Sequence, residues 1–169
     1  MAKIGIFYGS TSGHTAKAAE LIYEMLSDDH EVEVVNMEDS DLDEVLAYDN
    51  LLLGSSTWGQ GDLQNDWRDP FTEMEDVDFS GKTVALFGTG DAHKHGEHFV
   101  SALGILHDKI VAQGGTVVGA VSPEGYGFKA SLALKEGKFV GLPLDEVNEA
   151  HKTHARIEAW LKSIAGAFN

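Results

Sequence analysis

The 169-residue chain has no cysteine. That excludes a disulfide framework, a thiolate metal site, a Cys-ligated iron–sulfur cluster and a cysteine nucleophile. Proline is scarce, at three residues, and no low-complexity run breaks the chain, which argues against disorder. No apolar stretch approaches the ~20 residues that a membrane span needs. Cationic side chains are also few: 12 Lys and Arg stand against 28 Asp and Glu, a formal charge of −16. A duplex or an anionic membrane would repel such a surface, so neither is expected as a partner. Met1-Ala2-Lys3-Ile4 runs directly into a strand-like segment and leaves no room for a signal peptide, so a cytoplasmic protein is expected.

At 43% hydrophobic residues, the length fits one domain, residues 1–169, with a sizeable core. The acids are clustered. Ten carboxylates fall between Asp28 and Asp49 with no Lys or Arg among them, and seven between Asp62 and Asp78 against Arg68 alone. Solubility alone would explain them; steering toward a basic partner is the sharper reading.

Apolar patterning alternates between strand and helix periods. Lys3–Tyr8 reads as a buried strand, Ala16–Leu26 as a helix with one apolar stripe, and Glu31–Asn36 as a short alternating edge strand. Leu51–Leu53 lies in a third strand ending at Gly54, Gln64–Glu75 is helical, and Thr83–Phe87 is a fourth strand ending at Gly88. A long helix spans Glu97–Gln113 and stops at Gly114-Gly115. Thr116–Val121 begins a fifth strand and His154–Ile164 is a closing helix. The alternation predicts an α/β fold with a parallel sheet covered on both faces. In such sheets ligands sit beyond the carboxyl ends of the strands, and three polar, Gly-bearing loops leave those ends.

The first loop, Gly9-Ser10-Thr11-Ser12-Gly13-His14-Thr15, sets three hydroxyl residues before a helix whose first N–H groups lack partners, a cradle for a phosphate. It is one residue short of a nucleoside-triphosphate loop and has no Lys, so a phosphomonoester that is held and never transferred suits it better. An ordinary Ser/Thr-rich helix cap is the competing reading. The second loop, Ser55-Ser56-Thr57-Trp58-Gly59-Gln60-Gly61-Asp62, offers an indole for stacking on a flat ligand; the alternative is Trp58 folded back on Trp67 or Phe71. The third, Gly88–His98, lacks the glycine spacing of a dinucleotide fingerprint. His93, His95 and His98 follow no metal-ligand template, so no metal is expected.

Together the three loops resemble the flavodoxins, small FMN-bearing electron carriers. The resemblance covers nearly the whole chain, from Lys3-Ile4-Gly5-Ile6-Phe7-Tyr8-Gly9-Ser10 to Arg156-Ile157-Glu158-Ala159-Trp160. It is most specific in the first loop, in Thr57-Trp58-Gly59, in Ala85-Leu86-Phe87-Gly88-Thr89-Gly90-Asp91 and in Gly137–Glu146. The resemblance implies a flavodoxin-like doubly wound five-stranded parallel sheet of order 2-1-3-4-5 with helices on both faces. Its last strand would be interrupted by a loop, Pro123–Gly141, as in the long-chain type, and would resume near Phe139–Leu142. It implies that Ser10, Thr11, Ser12, Gly13, His14 and Thr15 hold the FMN phosphate. Ser56, Thr57, Trp58, Gly59 and Gly61 would line one side of the ribityl chain and ring, with Trp58 stacked on the inner face, while Thr89, Gly90, Asp91, His95 and His98 close the other. Asp145 would lie near the ribityl–phosphate region. One departure stands out: the position that usually carries a stacking Tyr is His95, and the usual Asn three residues on is His98.

The implied function is a low-potential one-electron carrier with non-covalently bound FMN. The Gly59 carbonyl would accept a hydrogen bond from the half-reduced flavin as the Gly59–Gln60 peptide turns. A carboxylate at ~10 Å repels the fully reduced, anionic flavin by about 0.4 kcal/mol, so about six would lower the second potential by roughly 100 mV before screening. Expected partners are redox proteins with basic docking faces: a flavodoxin/ferredoxin–NADP⁺ reductase, photosystem I, nitrogenase or radical-enzyme activation systems, met by a monomer. The alternative on the same scaffold is an FMN-dependent NAD(P)H:quinone reductase, against which Lys94 stands alone as a basic group in the third loop. A phosphate-switched signalling domain would need an acceptor Asp at the third strand end, where Leu53-Gly54-Ser55-Ser56 has none.

Overall fold

The computed structural model describes residues 2–59 and 61–169. Its centre is a parallel sheet of β1 (Lys3–Gly9), β2 (Glu31–Asn36), β3 (Asn50–Trp58), β5 (Thr83–Thr89) and β6 (Thr116–Val118), ordered β2-β1-β3-β5-β6. A two-residue strand, β4 (Asp62–Leu63), folds back antiparallel on Thr57–Trp58. This is the expected 2-1-3-4-5 winding, with β5 as the fourth long strand.

Side chains alternate across the inner strands, as the two-residue strand period requires. Ile4, Ile6, Leu52, Ala85 and Phe87 point into one buried cluster with Ala18 and Ile22 of α1 (His14–Leu26) and Ile157 and Trp160 of α6 (Thr153–Ile164). Phe7, Leu51, Leu53, Val84 and Leu86 point into the other, against Leu103, Leu106 and Ile110 of α4 (Ser101–Ala112) and against Trp67. Both faces are dry, which is why these strands read as continuous apolar runs. Truncating a fully buried member such as Leu52 to Ala costs about 2–5 kcal/mol.

The fifth strand is split. β6 pairs with the start of β5 (Thr83↔Thr116), and β9 (Leu142–Leu144) pairs with its end (Phe87↔Leu142). Between them the chain makes an excursion that carries a small hairpin, β7 (Leu134–Lys135) and β8 (Lys138–Phe139). The strand therefore resumes at Leu142; Phe139 belongs to the hairpin, where its ring is buried among Phe99, Tyr126 and Phe128. β6 stops at Val118 because Gly119, at φ 88°, turns the chain away.

Local readings shift in three further places. Gln64–Glu75 forms 3₁₀ turns around the short helix α3 (Arg68–Glu73). The long helix begins at Ser101 rather than Glu97, because Val100 sits in the left-handed region at φ 46° and cannot continue it. Two short helices, α2 (Leu42–Leu46) and α5 (Glu146–Glu149), carry too few apolar positions to show a period; Asp41 and Asp145 cap their N-termini.

Candidate functional site

All three loops converge at the carboxyl end of β1, β3 and β5 around one hollow of about 440 Å³. Thr15 of the first loop and Thr89 of the third are tied by a buried hydroxyl–hydroxyl bond of 2.8 Å, which fixes the spacing of two walls.

In the first loop, Ser10 Oγ accepts from the amides of Gly13 (3.2 Å) and Ala16 (3.3 Å), so part of the helix start caps itself. The amides of Thr11, Ser12, His14 and Thr15 donate to nothing among the described residues. Gly13, at φ 92°, makes the turn that leaves them open; a Cβ there would meet nothing, so the backbone angle and not crowding selects glycine. No acidic residue occupies the first turn of α1. Open amides at the positive end of a 13-residue helix form an anion cradle that needs no cationic side chain. Ser12 and His14 reach the hollow, while Thr11 is held by the Gln64 amide at 3.1 Å and supports the loop from behind.

The second loop supplies the flat surface. Trp58 is 44% exposed and is held by its Nε1–H on Ser56 Oγ at 2.7 Å. Trp67 is the core tryptophan, fully buried with its Nε1–H on the Gly54 carbonyl at 2.8 Å, so the two indoles have separate tasks. Ser56, Thr57 and Gly59 line the hollow, and Thr57 Oγ1 also accepts from the Ala102 amide at 3.1 Å, capping α4. The turn is closed by the Gly61 amide on the Trp58 carbonyl at 3.1 Å, with Gly59 at φ 54° and Gly61 at φ 97°. Of the Gly59–Gln60 peptide expected to rotate, Gln60 lies outside the described residues.

The third loop is held by carboxylates. Asp91 Oδ1 accepts from the amides of His93 (3.1 Å) and Lys94 (2.9 Å) and from Asn148 Nδ2 (2.8 Å). Partial burial pushes the Asp91 carboxyl up, but the Lys94, Asn148 and His93 hydrogen bonds outweigh it, and the nearby His95 adds to them. The group is held below the usual carboxylate range. Asp145, fully buried, accepts from the Ala92 amide (3.0 Å) and from the Asn148 amide and side chain. Asn148 thus bridges two carboxylates and joins α5 to the loop. Asp145 does not line the hollow; its role is to clamp.

Thr89, Gly90, Asp91, His95 and His98 all line the hollow. Four further residues do so unannounced: Lys94, Phe99, Val100 and Val147. Val147, 59% exposed, is a lone apolar side chain among the acids of α5, and that isolation is the signal that could have found it. Val100 holds a left-handed backbone at the wall of the site, a conformation costing of order 1–3 kcal/mol. Three imidazoles, His14, His95 and His98, share the hollow. Among the described residues no cluster of three or more His, Asp or Glu is arranged to hold a metal ion, and no helix is long and apolar enough to cross a membrane.

Comparison with known proteins agrees with this fold. The sequence profile of the family described as Flavodoxin matches residues 6–160. Flavodoxin 1 of Azotobacter vinelandii is 52% identical, covering 99% of this chain and 98% of that protein. The flavodoxin of a Synechocystis strain is 42% identical, covering 97% and 96%. Among solved structures, Fusobacterium nucleatum flavodoxin bound to flavin mononucleotide superposes with a TM-score of 0.95 at 33% identity, over the full length of both chains. Since the match begins inside β1, ends inside α6 and leaves almost nothing uncovered on either side, the chain belongs to the flavodoxin family.

Proposed function

We infer that the three loops hold flavin mononucleotide without a covalent bond, and that residues 1–169 work as a single unit around it. The protein is an FMN-based electron carrier that serves other redox proteins, not an enzyme, and the flavodoxin relatives favour this over a quinone reductase. The observation that carries the site assignment is the juxtaposition, in one hollow, of uncapped helix amides and the exposed Trp58 face. That pairing fits a flat aromatic ring joined to a phosphate.

Bound FMN supplies single-electron exchange; the chain positions it and sets its potential. The amides of Thr11, Ser12, His14 and Thr15 receive the phosphate, with the hydroxyls of Ser10, Thr11, Ser12 and Thr15 and the turn at Gly13 shaping the cradle. Trp58 would offer its indole to the ring, and His95 and Val147, which line the same hollow, would complete the slot. Ser56, Thr57, Gly59 and Gly61 border the ring and its ribityl chain on one side, and Thr89, Gly90, Asp91 and His98 on the other. The carboxylate of Asp62 lies against Gly59, so close that a Cβ added there would be 2.8 Å from Asp62 Oδ2. The carboxylates of Asp62 and of Asp91, which lines the hollow, with the net −16 charge behind them, would disfavour added negative charge on a bound flavin, which would make the carrier low in potential. Acidic clusters at 28–49 and 62–78 suit basic docking faces such as that of a flavodoxin/ferredoxin–NADP⁺ reductase; photosystem I, nitrogenase and radical-enzyme activation systems are further acceptors or donors of that kind.

The test is an absorbance spectrum of the purified protein before and after mixing with FMN. A bound-flavin spectrum surviving gel filtration is expected; protein that emerges colourless overturns the assignment.

A further inference from the structure

Seven of the 12 Lys and Arg residues sit on a carboxylate. Lys94 and Lys129 make no ion pair among the described residues, and both are exposed. They are 35 positions apart in sequence, yet they line one shallow hollow of about 320 Å³ together with His93, His95 and His98. The backbone builds this meeting. The amides of Lys129 (2.8 Å) and Ala130 (2.9 Å) both donate to the carbonyl of buried Gly96, and the Phe99 amide donates back to Ala130. Asp91 Oδ1 accepts from three N–H donors, and Asp91 lines the adjoining slot and not this hollow. Among the described residues, Glu97 is the only carboxylate lining the hollow. The hollow is continuous with the ring slot, since Lys94, His95 and His98 line both.

A molecule with a −16 charge thus sets two of its unpaired cations beside three imidazoles in a crescent at the slot, while Lys3, Arg68 and Lys138, which also make no ion pair among the described residues, line neither hollow. We propose that this crescent receives acidic side chains of a protein redox partner, orienting it over the exposed edge of the slot while its basic residues face carboxylates such as Asp62 beside the Trp58 turn. Net charge alone would let a basic partner land anywhere on the acidic surface. One patch of opposite sign admits a single orientation, because any other sets like charges against each other. This reading rests on the flavin occupying the slot, and flavin absorbance at the start of each experiment certifies that it does, so failure of the crescent and failure of the flavin site are read separately.

The test uses oxidised and chemically reduced holoprotein. In the first arm, hexaglutamate is titrated into the oxidised protein while backbone amide shifts are followed. The expected result is movement confined to residues 93–98 and 127–130, lost on Lys94→Glu with Lys129→Glu. In the second arm, the reduced protein gives one electron to ferricyanide, which becomes ferrocyanide, under stopped flow. At an ionic strength of about 10 mM the double reversal slows this about tenfold, the effect fades near 0.5 M salt, and Lys162→Glu at the opposite end of the molecule changes the rate less than twofold. Midpoint potentials measured alongside separate local charge from driving force. The proposal is overturned if hexaglutamate moves no amide of the crescent, or if Lys162→Glu slows ferricyanide as much as the double reversal. Crescent shifts produced by adenosine 2′,5′-bisphosphate and not by hexaglutamate also overturn it, in favour of a nucleotide phosphate site.

Discussion

Two hollows of similar size lie at opposite ends of the sheet. One, of about 440 Å³, is walled by the loops that leave β1, β3 and β5. The other, of about 490 Å³, lies between the end of α1 and α6, lined by Met25, Leu26, Leu161, Ile164 and Phe168 with acids at its mouth. Volume does not separate them. In the first, unpaired backbone amides, an exposed indole and three imidazoles converge because parallel strands all release their loops at the same end. In the second, helix flanks meet and leave aliphatic surface. A ligand that is half dianion and half aromatic ring can be read only where backbone donors and a flat face are offered together.

Perturbations at each end turn this contrast into measurements. The largest effect is expected from Ser12→Asp, which puts a carboxylate into the anion cradle: FMN affinity falls about 100-fold in a fluorescence titration, the equivalent of losing charge-assisted bonds worth roughly 3 kcal/mol. Ala165→Asp, at the rim of the other hollow, leaves affinity within about twofold. Next comes Trp58→Ala, expected to cost about tenfold in affinity and to remove the part of the tryptophan fluorescence that FMN quenches. Asn148→Leu removes the bridge between Asp91 and Asp145. It should weaken FMN binding several-fold and lower urea stability of the flavin-free protein by about 1–3 kcal/mol, since two buried or half-buried carboxylates lose a donor. The smallest change is His95→Tyr, a larger stacking surface, expected to tighten FMN by a few-fold.

Asp91 gives the contrast a pH axis. Its folded-state carboxyl titrates below the usual range, so the stability it contributes is fully present above the unfolded-chain value near ~3.9 and is lost as pH falls through the lower folded value. Acid titration of Asp91→Asn should therefore show a shallower loss of stability below about pH 4 than the natural chain.

The winding and the main ligand loops were legible in the sequence because they are local. A strand is four to eight consecutive residues, and Gly9–Thr15 is a strand-to-helix turn whose chemistry is written in order. What escaped was made by distance or by backbone. Lys94 read as solitary because its neighbour, Lys129, arrives through hydrogen bonds to the Gly96 carbonyl, which carry no side-chain signature. Val147 and Asn148 reach the site only because α5 is clamped there by Asp145, itself expected near the ribityl–phosphate region. The start of α4 was misread because Phe99, Val100 and Ser101 pattern as helix while Val100 is forced left-handed between two packed elements.

The divided fifth strand has a consequence for how such a protein can change. β6 and β9 each anchor on β5, and the neck of the excursion is stapled by reciprocal amide–carbonyl bonds between Val121 and Phe139. The segment beyond that staple is nonetheless bound to the site: Lys129 and Ala130 donate to the Gly96 carbonyl, the Leu132 amide to Ser101 Oγ and the Tyr126 hydroxyl to the Pro143 carbonyl. Lys129 hangs on this segment, so an exchange that rewrites partner contact also reaches the wall of the cofactor slot at Phe99.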